Sequence, residues 1–245
     1  MRLPSRLFHC LTVLATLSLA ACSSGPKAPD WQLEAKTAME RALAAYLEGN
    51  SRVEALEFGR ARSELSSTGR ADLVARAELL RCASRIASLV LEPCAGFEAL
   101  RPDAPPAERA YADYLAGQLQ PQDIALLPAP QRAAAASSDV AVIKGIADPL
   151  SQLVAAGVMF RAGRASPAVL QQAVDTASSQ GWRRPLLAWL GVQLQLAEKG
   201  GDSAAAAHLR RRIALTQTPA TTSATTAPTT PVPAAVPAAV PGSKP

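Results

Sequence analysis

"RADLVARAELLRCASRIASLVLEP", residues 70–93, decides how the rest of this chain is read. Leu79, Cys82, Ile86 and then Leu89 or Val90 recur at three- and four-residue spacing, the period of one helix face. Arg81, Ser84, Arg85 and Ser88 share the opposite face. Pro93 ends the run, because its ring removes an amide donor and clashes with the preceding turn. The spacing therefore predicts a helix over about 70–91, the longest candidate in the chain. Outward from it the same grammar recurs. Ser51-x-x-Glu54 has the form of a capping box. Asp148-Pro149 and Ser166-Pro167 each set a capping side chain before a proline at the first helical position. Alanine is abundant and β-branched runs are absent. Links as short as "GN", "STG" and "GGD" make neighbouring helices antiparallel. Residues 31–215 are expected to be all-α: an irregular α-solenoid or a helical bundle of antiparallel helix pairs.

A weak internal repeat runs through this body. "EGNSRVEALEFGRAR" (48–62) aligns with "GGDSAAAAHLRRRIA" (200–214), matching Gly49 with Gly201, Asn50 with Asp202, Ser51 with Ser203, Ala55 with Ala207 and Arg60 with Arg212. Each copy follows a helix-like segment with an aromatic, Tyr46 in one and Trp189 in the other. A third turn, Gly163 with Ser166-Pro167, lies 38 residues before Gly201. Helix, glycine-polar turn, helix at this period resembles tetratricopeptide repeats. The full spacing of large and small positions is not kept, and residues 92–147 break the period.

The ends have a different composition. Arg2 and Arg6 precede a short apolar stretch, Leu7–Ala20, in the order of a secretory signal. Leu19-Ala20-Ala21-Cys22 follows directly and resembles the lipobox of bacterial lipoproteins. That resemblance implies removal of residues 1–21 as a signal peptide, a diacylglycerol on the Cys22 sulfur, and anchoring in the bilayer through acyl chains. With Ser23 rather than aspartate after the cysteine, it further implies the outer membrane, facing the periplasm. Residues 22–30 read as the lipidated cysteine and a Gly/Pro/Ser tether. Residues 216–245 hold seven prolines, eight threonines and a single charged side chain, Lys244. This density of proline forbids helix interiors and favours stiff extension, so the segment reads as a disordered tail. It is either a spacer across the periplasm or toward peptidoglycan, or a passive extension.

The chain carries a formal charge of +5, which falls to +3 once Arg2 and Arg6 leave. Its 20 Arg and 5 Lys are interspersed with acidic residues and are not joined by stacking aromatics, so no nucleic-acid partner is expected. His208 is the only histidine after residue 9. A Ser-His-Asp or Cys-His arrangement needs a base beside its nucleophile, and His208 among Ala207, Leu209 and Arg210 reads as a surface or packed side chain. Zinc needs about four ligands at characteristic spacing, and one histidine with two cysteines does not supply them. Ser24-x-x-Lys27 matches a nucleophile pattern by letters but lies in the tether. The pairs Glu54/Glu57 and Glu108/Asp113 read as carboxylates on solvated helix faces. No catalytic residue, cofactor or metal is therefore expected.

Cys82 and Cys94 leave two readings open. In an oxidising compartment a bridge between them would close a loop of about a dozen residues. A helix running to Leu91, however, would place Cys82 about 13 Å below its end, so the chain after Glu92 would have to fold straight back. Otherwise both are small buried apolar residues. Functionally the sequence points to a non-catalytic, membrane-anchored scaffold that binds an envelope protein. The alternative is an envelope enzyme or small-ligand binder with a pocket between helices.

Overall fold

The computed structural model describes residues 28–217. The lipobox with Cys22, Ser24, Lys27 and nearly all of the proline-rich tail lie outside the described residues. The body is all-α, with no strand among the described residues. In chain order the helices are α1 (Asp30–Glu48), α2 (Ser51–Ser66), α3 (Ala71–Ala87), the short α4 (Ala95–Glu98), α5 (Pro106–Ala116), α6 (Ala129–Ala136), α7 (Val140–Lys144), α8 (Pro149–Arg161), α9 (Pro167–Ser179), α10 (Arg183–Lys199) and α11 (Ser203–Gln217). Two 3₁₀ turns, Arg101–Asp103 and Pro121–Leu126, flank α5.

Helix α3 lies between two cores. Ala75, Leu79, Ala83, Ile86 and Ala87 face the larger one, where α3 packs on α8. Ala77 faces a small second cluster with Ala42 of α1 and Phe58 of α2. Helix α8 is buried through seven consecutive residues, Leu153 to Met159, as a helix surrounded on all sides requires. Gly157 sits where α8 meets α3. A Cβ there would overlap the Ile86 carbonyl oxygen, so only glycine admits this approach. Trp189 of α10 is fully buried, meets Phe160 edge-on and donates its indole N–H to the Ala87 carbonyl at 3.0 Å. One of the carbonyls left unpaired at the end of α3 is thereby satisfied.

The aligned segments prove to be equivalent hairpins, α1–α2 and α10–α11. At both turns the glycine takes a left-handed backbone, Gly49 at φ 97° and Gly201 at φ 72°. The next residue's amide returns to the helix, Asn50 to the Ala45 carbonyl (2.7 Å) and Asp202 to the Ala197 carbonyl (2.9 Å). That residue's side chain then caps the following helix, accepting from the Val53 amide in one copy and the Ala205 amide in the other. The first cap departs from the sequence reading by one position. Asn50, not Ser51, is the N-cap, and Glu54 turns inward instead of closing a capping box. Asp148 and Ser166 cap α8 and α9 as their prolines suggest, accepting from the Ser151 and Val169 amides.

Helix α3 stops at Ala87, four residues before the predicted end. Leu89 adopts a left-handed backbone at φ 58°, and the Val90 amide turns back to the Arg85 carbonyl at 2.9 Å. The chain reverses, and Cys94 comes beside Cys82.

Candidate functional site

The four carboxylates of α2, α3 and α5 that face inward define the polar architecture. Glu54, Glu57, Glu78 and Glu108 are between 5 % and 8 % exposed, which overturns the reading of Glu54, Glu57 and Glu108 as solvated. Each is held by arginine. Glu54 Oε1 accepts from Arg81 Nε at 2.7 Å and from Arg85 at 3.5 Å, and Glu78 accepts from Arg62 at 3.0 Å. Glu57 accepts from Arg60 at 3.0 Å and Glu108 from Arg76 at 2.5 Å. The polar face of α3 thus packs on α2 through guanidinium–carboxylate contacts, and Arg81 also lies 4.3 Å from the Phe58 ring centre. A carboxylate leaves water only where such partners replace its hydration. One oxygen of each glutamate is thus held by arginine, while the second oxygens of Glu57 and Glu108 are buried without a hydrogen-bond partner. Asp113 pairs with Arg101 at 3.0 Å, a partner it does not share with Glu108.

Cys82 and Cys94 form a disulfide with their Cα atoms 5.8 Å apart. The bridge borders a cleft of about 470 Å³ between α3, the Glu92–Glu98 return and α5. Part of its charge is matched within the wall. Arg101 donates to both oxygens of Glu98 (2.7 and 2.9 Å) as well as to Asp113, and its hydrogen bonds hold the Glu98 carboxyl below the usual range. Arg161 donates to the Leu115 and Leu91 carbonyls, tying α8 to α5 and to the return loop.

A second concavity of about 460 Å³ opens between α3, α5 and the Pro121–Leu126 turn. Its floor is apolar, built from Leu79, Leu80, Tyr111, Leu127 and Pro128. Arg76–Glu108 closes one rim. Arg132, which donates to the Leu127 carbonyl at 2.8 Å, is on another. Leu126 is 41 % exposed, a large apolar side chain presented at the groove mouth. Burial, reinforced by Asp148, raises the Tyr111 hydroxyl pKa, so the phenol stays neutral and contributes ring surface. Behind the groove the Tyr114 hydroxyl donates to Gln131, whose amide donates to the Ser151 carbonyl, locking α5, α6 and α8 together.

His208 is exposed on α11. Among the described residues no group of three or more His, Cys, Asp or Glu is arranged to hold a metal ion, and no helix is long and apolar enough to cross a membrane. Part of the groove lining comes from the stretch that breaks the repeat, where "DIALLPAP" (123–130) interrupts helical periodicity with two prolines. Leucines bracketed in this way were the available signal for an ordered apolar turn. No family model, curated protein or solved structure matches the chain.

Proposed function

We propose that this chain is a non-catalytic bacterial lipoprotein, anchored through acyl chains on Cys22 in the outer membrane. Its helical body acts as a protein-interaction scaffold in the periplasm. The apolar groove with Leu126 at its mouth carries the scaffold reading. An apolar floor with a polar rim and well-fixed walls suits the anchor residues of a partner segment. The lipobox resemblance carries the anchor, since two or more acyl chains hold a protein on a bilayer where one does not.

Metabolic labelling with a fatty-acid analogue tests the anchor: the wild-type chain should be marked and Cys22→Ser should not. A photo-crosslinking side chain at Leu126 should trap a discrete protein adduct in cells, while the same group at Lys36 should not. Equal labelling of Cys22→Ser, or identical adducts from both positions, would overturn the reading. The cleft beside the disulfide favours one alternative, an envelope small-ligand binder whose ligand would displace the Arg101–Glu98 pair.

A further inference from the structure

Charge is divided unevenly along this body. Residues 28–148 carry 13 Lys and Arg against 17 Asp and Glu, whereas residues 149–217 carry 8 against 3. The excess is concentrated on the last hairpin. Arg183 is exposed at the start of α10, with its Nε on the Thr216 carbonyl at 3.2 Å, which brings it to the end of α11. His208 and Arg211 are exposed on α11, and Arg212 is half-buried beside them. Arg210 is neutralised by Glu198 at 2.5 Å. Neither Arg211 nor Arg212 has an acidic partner among the described residues.

Ala204, His208, Arg211 and Leu215 follow at four, three and four residues, so they share one face of α11. Leu215 is 77 % exposed, more than any other large apolar side chain described. A soluble anionic polymer would engage the arginines but would give Leu215 nothing. A bilayer with anionic headgroups engages both: guanidinium groups pair with phosphates, and the apolar side chain enters the interface.

We propose that the outward face of α11 with the start of α10 is a docking surface for an anionic phospholipid bilayer, formed by Arg183, His208, Arg211, Arg212 and Leu215. It gives the body a second contact with lipid, independent of the anchor, and would hold the hairpin down against the headgroups. The choice of partner rests on the envelope reading above. The test leaves out the anchor so that the two can fail separately.

The chain from Ser23 to Pro245, which keeps every described residue and lacks Cys22, is mixed with vesicles of phosphatidylglycerol and phosphatidylcholine in equal parts, or of phosphatidylcholine alone. It should sediment with the first and not the second, and half-molar salt should release it. Arg211→Gln with Arg212→Gln should weaken binding roughly 20- to 30-fold, as two basic contacts at a charged surface imply. Arg41→Gln with Arg52→Gln removes the same charge from the acidic half and should change it less than about twofold by the same reasoning. Leu215→Ser should weaken it severalfold. Equal binding to both vesicles, or equal loss in both double variants, overturns the proposal. So does indifference to Leu215→Ser together with full competition by dextran sulfate, which would mark the surface as a site for soluble polyanions.

Discussion

Gly157 allows α8 to meet α3 at backbone distance, because a side chain there would press on the Ile86 carbonyl and on its Cγ2. That carbonyl belongs to a helix closed by Trp189 and cannot give way cheaply. Gly157→Ala should therefore cost about 2–3 kcal/mol, the upper part of the overpacking range. For a body of this size that lowers the melting temperature by roughly 5–10 °C. Gly191, inside α10 with open space at its Cβ, is the matched control. Gly191→Ala should raise the melting temperature slightly through helix propensity alone. Thermal melts of the two variants moving together would contradict the packing argument. Neither glycine announces its role in the sequence, since both are isolated in helical patterns. Glu54 is less hidden. It stands three residues before Glu57 and four before Phe58, on one stripe of α2, while Arg81 and Arg85 stand four apart on α3. A carboxylate stripe opposite an arginine stripe can mark a buried polar seam as well as two solvated faces. Composition favours the second reading, and only the packing of α2 on α3 selects the first.

The α3 period was legible from Leu79 through Ile86, because every turn presents a small or apolar side chain to α8. Its end was not. Helices commonly close on glycine or asparagine in the left-handed region, and here Leu89 takes that role at a backbone cost of about 1–2 kcal/mol. Three long-range features offset the cost: Leu89 packs on the core, Trp189 binds the Ala87 carbonyl, and Cys94 is joined to Cys82. None can be read from residues 86–91 themselves. The bridge closes a loop of 12 residues. On the chain-entropy account this contributes about 2–3 kcal/mol. Reduction, or Cys82→Ser with Cys94→Ser, should lower the melting temperature by roughly 5–10 °C. Hydrogen exchange should rise first between residues 88 and 98, where the return loop loses its tie. An unchanged melt on reduction would mean that Leu89 and Trp189 hold the reversal without help.

The hairpin repeat was visible in the sequence through its turns, whereas the way the two copies meet was not, because they lie 152 residues apart and are joined by Arg184, which stands outside the aligned pattern. Arg184 at the start of α10 donates Nε to the Tyr46 carbonyl at 2.6 Å and Nη2 to the Ser51 hydroxyl at 2.7 Å. Its guanidinium lies 4.4 Å from the Tyr46 ring centre, and Arg85 of α3 lies 5.1 Å from the same ring. One side chain therefore joins the end of α1, the start of α2 and the C-terminal hairpin. Contacts of this kind, like those of α3 with α8, fold the chain back on itself, whereas a strict solenoid confines each repeat to its neighbours. Hydrogen bonds to a charged donor contribute about 1.5–3 kcal/mol and a ring contact about 0.5–1. Arg184→Ala should thus destabilise by about 2–3 kcal/mol after the usual non-additivity. Arg184→Lys should recover less than half of this, as roughly expected for a point charge that cannot serve two acceptors while lying flat on a ring. The decisive readout is where protection is lost. Amides of α1 and α2 should exchange faster in Arg184→Ala while those of α8 and α9 keep their protection, since the α3–α8 core does not depend on the clasp. Uniform loss across all helices would show instead that the two hairpins and the core unfold as one unit.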